Sequence, residues 1–292
     1  MISVLIVSYE AREVLPRCLA SVSDLVDRGH EVWVVDNASS DGSADLVRAD
    51  FPSCHLLVME ENVGFGAANN RAAREARGDA LLLLNPDAWL TGGCASELEG
   101  VLDRQEEVGL VAPTILYPEG RPQFNWAPRS GVVGEAIQTL RNRFESRSWA
   151  HRPFARTLRA LGNRGWFSGS CCMIRRRAFE EIGGFDERYF LYFEDVDLCA
   201  RLDAASWGLR ECPAAVAHHE RGALSGADTD KVLYRRSQFT YYRRNRPRWE
   251  NRFLLSKQKR SFARESDPEY RRRLLEVWEE ARLAHDTSST AV

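Results

Sequence analysis

The chain has 292 residues, is 44% hydrophobic and 28% charged, and carries a formal net charge of −2. That balance fits a soluble globular protein with a substantial core, organised as one large or two fused domains. It excludes a protein that gathers polyanions by bulk charge. The seven cysteines are scattered, without paired zinc spacing, and read as reduced, mostly buried thiols of a cytoplasmic protein. The adjacent Cys171 and Cys172 cannot both point into one pocket from a strand. No apolar run approaches the length of a membrane span, and Met1-Ile2-Ser3-Val4 enters an apolar strand without the basic start of a signal peptide.

Ile2 to Val7 is a short, β-branched apolar run, the pattern of a buried parallel strand. Val14, Leu15, Cys18, Leu19, Val22, Leu25 and Val26 recur at helical spacing and predict one helix ending near Gly29. A strand at Val32–Val35 ends in the polar run Asp36 to Ser43. A further helix, a strand at His55–Val58, a helix over Ala67–Ala76 and a strand of four leucines, Leu81–Leu84, follow. Strands alternating with helices imply a parallel sheet with right-handed crossovers. Ligands then bind beyond the carboxyl ends of the strands, where Ser8 and Tyr9, Asp36 to Ser43, Asn62 to Asn70 and Asn85 to Asp87 cluster. Neither G-x-G-x-x-G after the first strand nor a P-loop is present.

From Tyr117 to Arg164 the regularity fades into a long, Pro- and Gly-punctuated stretch with room for one or two helices. Gly165 to Ile174 returns as a strand, and Arg175–Arg177 opens a short helix that stops at Gly183-Gly184. The aromatic run Tyr189, Phe190, Tyr192, Phe193 then leads into Glu194, Asp195 and Asp197. Aromatic walls exclude water and can move a carboxylate toward the pKa of a general base. The same acids would equally suit the positive end of a helix. After Asp228 the chain reads as helices, clearest over Glu269–Leu283, and the final Asp286 to Val292 is polar and frayed.

Eight short stretches together resemble the family 2 glycosyltransferases of the GT-A fold, in the branch containing rhamnosyl- and galactofuranosyltransferases. They are V-S-Y (Val7–Tyr9), V-V-D-N-A-S-S-D-G-S (Val34–Ser43), N-V-G-F-G-A-A-N-N (Asn62–Asn70), L-N-P-D (Leu84–Asp87), Gly169–Arg176, G-G-F-D-E (Gly183–Glu187), E-D-V-D-L-C-A-R (Glu194–Arg201), and His218 following A-V-A. The resemblance spans Ile2 to Ser225 and implies an α/β fold, a mostly parallel central sheet flanked by helices. Residues 1–117 would form the nucleotide-sugar half, 118–226 the acceptor and catalytic half, and 227–292 a basic helical extension.

The resemblance also implies roles. Ser8 and Tyr9 would lie near the nucleobase, with the Asp36 carboxylate accepting from a pyrimidine N3–H, and Asn37 would belong to the same nucleotide-sugar site. Asn62, Gly64 and Asn70 would line the nucleotide-sugar pocket. Asp87 takes the place of the metal-binding acid of a D-x-D motif whose first position is Asn85 here. A divalent cation, Mg²⁺ or Mn²⁺, would arrive with a dTDP- or UDP-sugar donor. His218 is expected to be a further metal or phosphate ligand, with His219 not cleanly separated from it. Asp195 would be the base, Glu194 and Asp197 its neighbours, and Trp166, Gly169, Phe185, Asp186 and Arg201 would shape the acceptor and sugar pocket.

The expected reaction is an inverting transfer, rhamnose being the first expectation, onto a hydroxyl of a glycan, a lipid-linked acceptor or a small molecule. A non-catalytic sugar-nucleotide-binding protein of the same fold is the competing reading, and Asp87 together with Asp195 argues against it. A nucleotidyltransferase fits less well, because the first loop is Ser8-Tyr9-Glu10-Ala11. The arginines around Tyr241-Tyr242 form a solvated helical face or a contact to an anionic membrane at its inner surface. Nucleic acid is not expected, since no recognised binding module accompanies them.

Overall fold

The computed structural model describes residues 1–137, 165–220 and 227–287. The expectation of one or two helices within 138–164, and that of fraying for the chain's last five residues, lie outside the described residues. In chain order the elements begin β1 (Ile2–Ser8), α1 (Leu15–Ala20), α2 (Ser23–Asp27), β2 (Glu31–Asp36), α3 (Ser43–Asp50), β3 (His55–Val58), α4 (Phe65–Glu75), β4 (Ala80–Leu84), β5 (Ala88–Leu90) and α5 (Cys94–Arg104). Then come β6 (Val108–Leu116), β7 (Pro122–Gln123), β8 (Trp126–Pro128), β9 (Gly165–Phe167), β10 (Cys171–Arg175), α6 (Arg176–Glu181), α7 (Glu194–Ala204) and β11 (Gly208–His219). Three helices close the chain: α8 (Ala227–Asn245), α9 (Arg248–Phe262) and α10 (Pro268–Thr287).

The main sheet runs β3-β2-β1-β4-β10-β6-β11-β5, with β7 paired to β6. Its first four strands are parallel, as the βα alternation requires. β10 enters antiparallel between β4 and β6, so the sheet is mixed rather than purely parallel. The predicted strand Gly165–Ile174 is two elements. β9 pairs with β8 in a small second sheet, and a turn at Ser168–Ser170 leads into β10. The predicted helix over Val14–Val26 is likewise two short ones: the chain breaks at Ser21-Val22, where the Ser21 hydroxyl donates to the Cys18 carbonyl (2.7 Å) and accepts from Leu90 N (3.1 Å).

Side-chain alternation divides the core between the two faces of the sheet. Val4, Ile6, Leu82 and Leu84 pack on one face, and Leu5, Val7, Leu81 and Leu83 on the other. Cys171 and Cys172 fall on opposite faces, as their adjacency demands. All seven cysteines are free thiols. Burial of each leucine of β4 contributes about 1.5–3 kcal/mol.

The terminal helices share a third core with the aromatic run: Tyr189, Phe193 and Val196 pack with Val232, Phe239, Tyr241, Tyr242, Leu254 and Leu274. That core fixes α8 beside the start of α7, and so beside the site. No helix among the described residues is long and apolar enough to cross a membrane.

Candidate active site

The carboxyl ends of β1, β2 and β4, the turn before β10 and the start of α7 converge on a cavity of about 570 Å³. Its lining includes Val7, Tyr9, Asn37, Asn62, Gly64, Asn85, Asp87, Trp166, Gly169, Glu194 and Asp195 from the residues the sequence singles out. Ser8 and Asp36 lie in register on adjacent strands, fully buried behind that lining.

Buried polar atoms without a hydrogen-bond partner collect here. Ser8 Oγ, Asp36 Oδ2, Asn85 Oδ1, Asp87 Oδ1, Trp166 Nε1 and Glu194 Oε2 are all in this state. Buried polar groups in native proteins are nearly always paired, so a cluster of orphans along one sheet edge marks where a polar ligand completes them. For Asp36, Oδ1 is already held by Ser39 N–H at 3.0 Å, which leaves Oδ2 to accept.

The loop from Asn62 to Gly64 is set by an amide clasp. Asn37 Nδ2 donates to Asn62 Oδ1 (2.8 Å), Val63 N donates to Asn37 Oδ1 (3.0 Å), and Gly64 N donates to Asn62 Oδ1 (3.0 Å). Gly64 sits at φ +86°, and a Cβ there would collide with the backbone of Phe190, whose carbonyl accepts from Phe65 N at 2.9 Å. Its glycine therefore serves the close approach of two chain segments as well as the pocket wall.

Asp87 and the histidines are brought together by one strand pairing. β11 runs antiparallel to β5 with His219 opposite Ala88 and His218 opposite Trp89. Adjacent strand residues face opposite ways, so only one histidine can reach Asp87. That residue is His219: its Nε2 lies 3.2 Å from Asp87 Oδ1. His218, the preferred ligand on the sequence, instead stacks on Trp89 (centroids 5.1 Å apart, planes 2° apart) and bonds the Tyr117 carbonyl.

Gln123 orders the His219 ring. Its Nε2 donates to the His219 carbonyl at 3.4 Å, which turns its Oε1 toward Nδ1 at 2.9 Å. Nδ1 therefore carries the proton, and in the neutral ring Nε2 presents a lone pair to the Asp87 carboxylate. Two acceptors 3.2 Å apart call for a cation or a proton between or beside them. A carboxylate and an imidazole oriented by an amide fit a divalent cation whose other ligands are phosphate oxygens and water. Among the described residues no group of three or more protein ligands forms a closed metal cage.

All three acids open α7, and Glu194 and Asp195 are both helix N-terminal and pocket-lining groups. Tyr192 and Phe193 both adopt φ +66°, an unfavourable conformation for non-glycine residues that turns the chain into the helix at Glu194. Packing of Phe193 on Tyr234 and Tyr241, at 5.3 and 5.4 Å between centroids, holds it there. Asp195 accepts from Gly169 N (Oδ2, 3.2 Å) and Val196 N (Oδ1, 2.8 Å). Burial raises its pKa to about 6, against the lowering effect of those N–H groups. Burial, then the charge of Asp195, pushes Glu194 well above the usual carboxylate range. Burial and mutual repulsion therefore disfavour two negative charges in the pair at once, and Glu194 is the member pushed toward its neutral form.

Several expected pocket residues brace the site without lining it. Asn70 is a clasp: its Nδ2 donates to Phe185 O and Glu187 Oε1 (both 2.9 Å), and Phe185 N donates to its Oδ1 (2.8 Å). Asp186 is held by the Arg188 guanidinium, which lowers its pKa. Asp197 accepts from Arg201 Nε at 2.6 Å, and Arg201 also donates to the carbonyls of Ile182 (2.8 Å) and Gly184 (2.7 Å). Phe185 is buried against Phe65 and Phe179.

In the other direction, Gln123, Phe124, Asn125, Ser130 and Ser168 line the cavity unforeseen, as do Lys231 and Tyr234 of α8. Their signal was weak: Gln123 and Asn125 lie in the stretch where regularity fades, and α8 follows the last shared motif.

The family model described as glycosyl transferase family 2 matches residues 3–183. N-acetylglucosaminyl-diphospho-decaprenol L-rhamnosyltransferase of Mycobacterium tuberculosis is 31% identical over 82% of this chain and 83% of that protein. The low-salt glycan biosynthesis hexosyltransferase Agl10 of Haloferax volcanii is 24% identical over 87% of this chain and 75% of its own. Among solved structures, the mannosyltransferase PcManGT of Pyrobaculum calidifontis, in complex with GDP-Man and Mn²⁺, superposes with a TM-score of 0.59 at 18% identity. That match covers 97% of this chain and 70% of the other. TarS residues 1–349 of S. aureus gives 0.52 at 16% identity, covering 96% and 80%. The chain belongs to glycosyl transferase family 2 and has the GT-A fold; it is a glycosyltransferase.

Proposed function

We propose that the protein transfers rhamnose from a dTDP- or UDP-sugar, with inversion, to a hydroxyl of a lipid-linked glycan acceptor. Asp195 is the general base in this reading. The observation that carries it is the pairing within one cavity of an ionised, raised-pKa carboxylate at Asp195 with a second, cation-ready acid at Asp87. The similarity to a rhamnosyltransferase whose name specifies a diphospho-decaprenol acceptor supports the sugar and the acceptor class.

Residues 1–117 hold the donor. Asp36 Oδ2 accepts from the pyrimidine, and the Asn37–Asn62 clasp shapes the sugar-nucleotide wall. Asp87 and His219 hold Mg²⁺ or Mn²⁺. The cation, when bound, neutralises charge on the departing nucleoside diphosphate. Asp195 takes the acceptor proton as the acceptor oxygen attacks the anomeric carbon, while burial pushes Glu194 toward its neutral form and so limits a second negative charge beside the base. Gly169 N–H and Val196 N–H aim the Asp195 carboxylate. The protein works at the cytoplasmic face of a membrane, where such acceptors are presented.

The test is incubation with dTDP-rhamnose or a UDP-sugar, Mn²⁺ and an N-acetylglucosamine-terminated diphospholipid, with the product's anomeric configuration read by NMR. A product of inverted configuration supports the reading. A retained configuration, or hydrolysis without transfer under every donor, overturns it.

A further inference from the structure

Helix α9 presents a face that the glycosyltransferase site does not use. Trp249 and Phe253 are large aromatics with 61% and 49% of their surface exposed. At 3.6 residues per turn they share one side of the helix with Lys257 and Arg260, and Arg264 extends it just beyond the helix end. The opposite side, with Leu254, Leu255 and Phe262, is buried in the third core.

The charge on the outer side has one sign. Arg252, Lys257, Lys259, Arg260 and Arg264 are exposed, while the helix's single acid, Glu250, is buried and bonded to Arg246. The arginines flanking Tyr241-Tyr242 are not the centre of this feature. Both tyrosines are fully buried, and Arg246 is taken by Glu250. Exposed aromatics flanked by Lys257, Arg260 and Arg264, which make no ion pair among the described residues, on a helix packed from behind, suit the boundary between anionic headgroups and acyl chains.

We infer that the outer face of α9 docks the protein on an anionic lipid bilayer, Trp249 and Phe253 entering the interface and Lys257, Arg260 and Arg264 meeting the headgroups. A second copy is disfavoured by charge, because a two-fold contact would set this cationic face against itself. A nucleic-acid strand would call for a groove that tracks a backbone, whereas this is a single convex helix face. The inference rests on the exposed face alone and stands apart from the assignment of the catalytic base.

The experiment is flotation of the full chain with vesicles of phosphatidylcholine, with and without phosphatidylglycerol. Binding is expected only to the anionic vesicles and should fall with added salt. The triple variant K257E/R260E/R264E should weaken it at least ~10²-fold, at about fivefold per cation removed. The variant K257R/R260K/R264K should bind as the parent does. W249S/F253S should bind more weakly while keeping the salt dependence. Nucleoside-diphosphate affinity, read calorimetrically, should be unchanged in all of them, which separates lost docking from lost folding.

Equal binding to neutral vesicles, no binding to either, or unaltered binding by the charge-reversed variant would overturn the inference. So would a Trp249-dependent dimer in sedimentation, or displacement from vesicles by a short single-stranded oligonucleotide at low concentration.

Discussion

Replacing Asp195 by asparagine should slow the enzyme and stabilise it in a pH-dependent way. Asparagine keeps the shape and keeps an oxygen for Gly169 N–H and Val196 N–H. It removes a charge whose burial raises the carboxyl pKa from 3.8 to about 6. At about 1.4 kcal/mol per unit, ionised Asp195 costs the folded state up to about 3 kcal/mol. The sign follows from the direction of the shift. With the folded value above the unfolded one, the carboxyl's favourable contribution is complete below the unfolded value. It is lost as pH rises through the folded one, near 6. The asparagine variant has no such loss.

Its melting temperature should therefore match the parent's near pH 4 and exceed it at neutral pH by up to about 10 °C, at roughly 2–4 °C per kcal/mol. Thermal unfolding followed by circular dichroism across this range reads the difference directly. In the same variant transfer should fall about 10²–10⁴-fold while donor affinity holds. The parent's rate should rise with pH through about 6 as Asp195 ionises. A melting difference that is the same at both ends of the range, or undiminished transfer, would refute the argument.

Three further outcomes follow from the geometry. His219→Ala should weaken Mn²⁺-dependent donor binding by at least ~10-fold, and His218→Ala should not; isothermal titration of both distinguishes them. Asp197→Ala strands the Arg201 guanidinium and should cost about 3 kcal/mol in urea unfolding, with donor affinity retained because the pair lies outside the cavity. Gly64→Ala forces a side chain into a region only glycine occupies readily and against the Phe190 backbone, so it should destabilise by at least about 1–3 kcal/mol.

The parallel half of the fold was legible because its strands announce themselves. Ile2–Val7 and Leu81–Leu84 are continuous apolar runs, and each ends in a polar cluster on the same sheet edge. The other half depends on pairings between distant segments. Nothing local to Val108–Leu116 or Gly208–His219 says that they lie side by side, or that β11 also meets β5. That second pairing decides which histidine reaches Asp87, and a one-residue ambiguity of phase cannot be resolved from the sequence.

The same limit explains the acids. Asp195 and Asp197 look alike in the sequence, two residues apart in a helix, and so they fall on different sides. One opens into the cavity and the other grips Arg201. Lys231 and Tyr234 were hidden for a further reason: they reach the cavity only because Phe193 and Val196 bury themselves against α8.

Calorimetric titration with dTDP, UDP and GDP, each with and without Mn²⁺, tests most directly the proposed pyrimidine-diphosphate site completed by a cation at Asp87 and His219. The expected result is binding of dTDP or UDP that requires Mn²⁺, is absent for GDP and is lost in Asp87→Ala. Binding of GDP in preference to both, or binding unaffected by Mn²⁺ and by loss of Asp87, would contradict it.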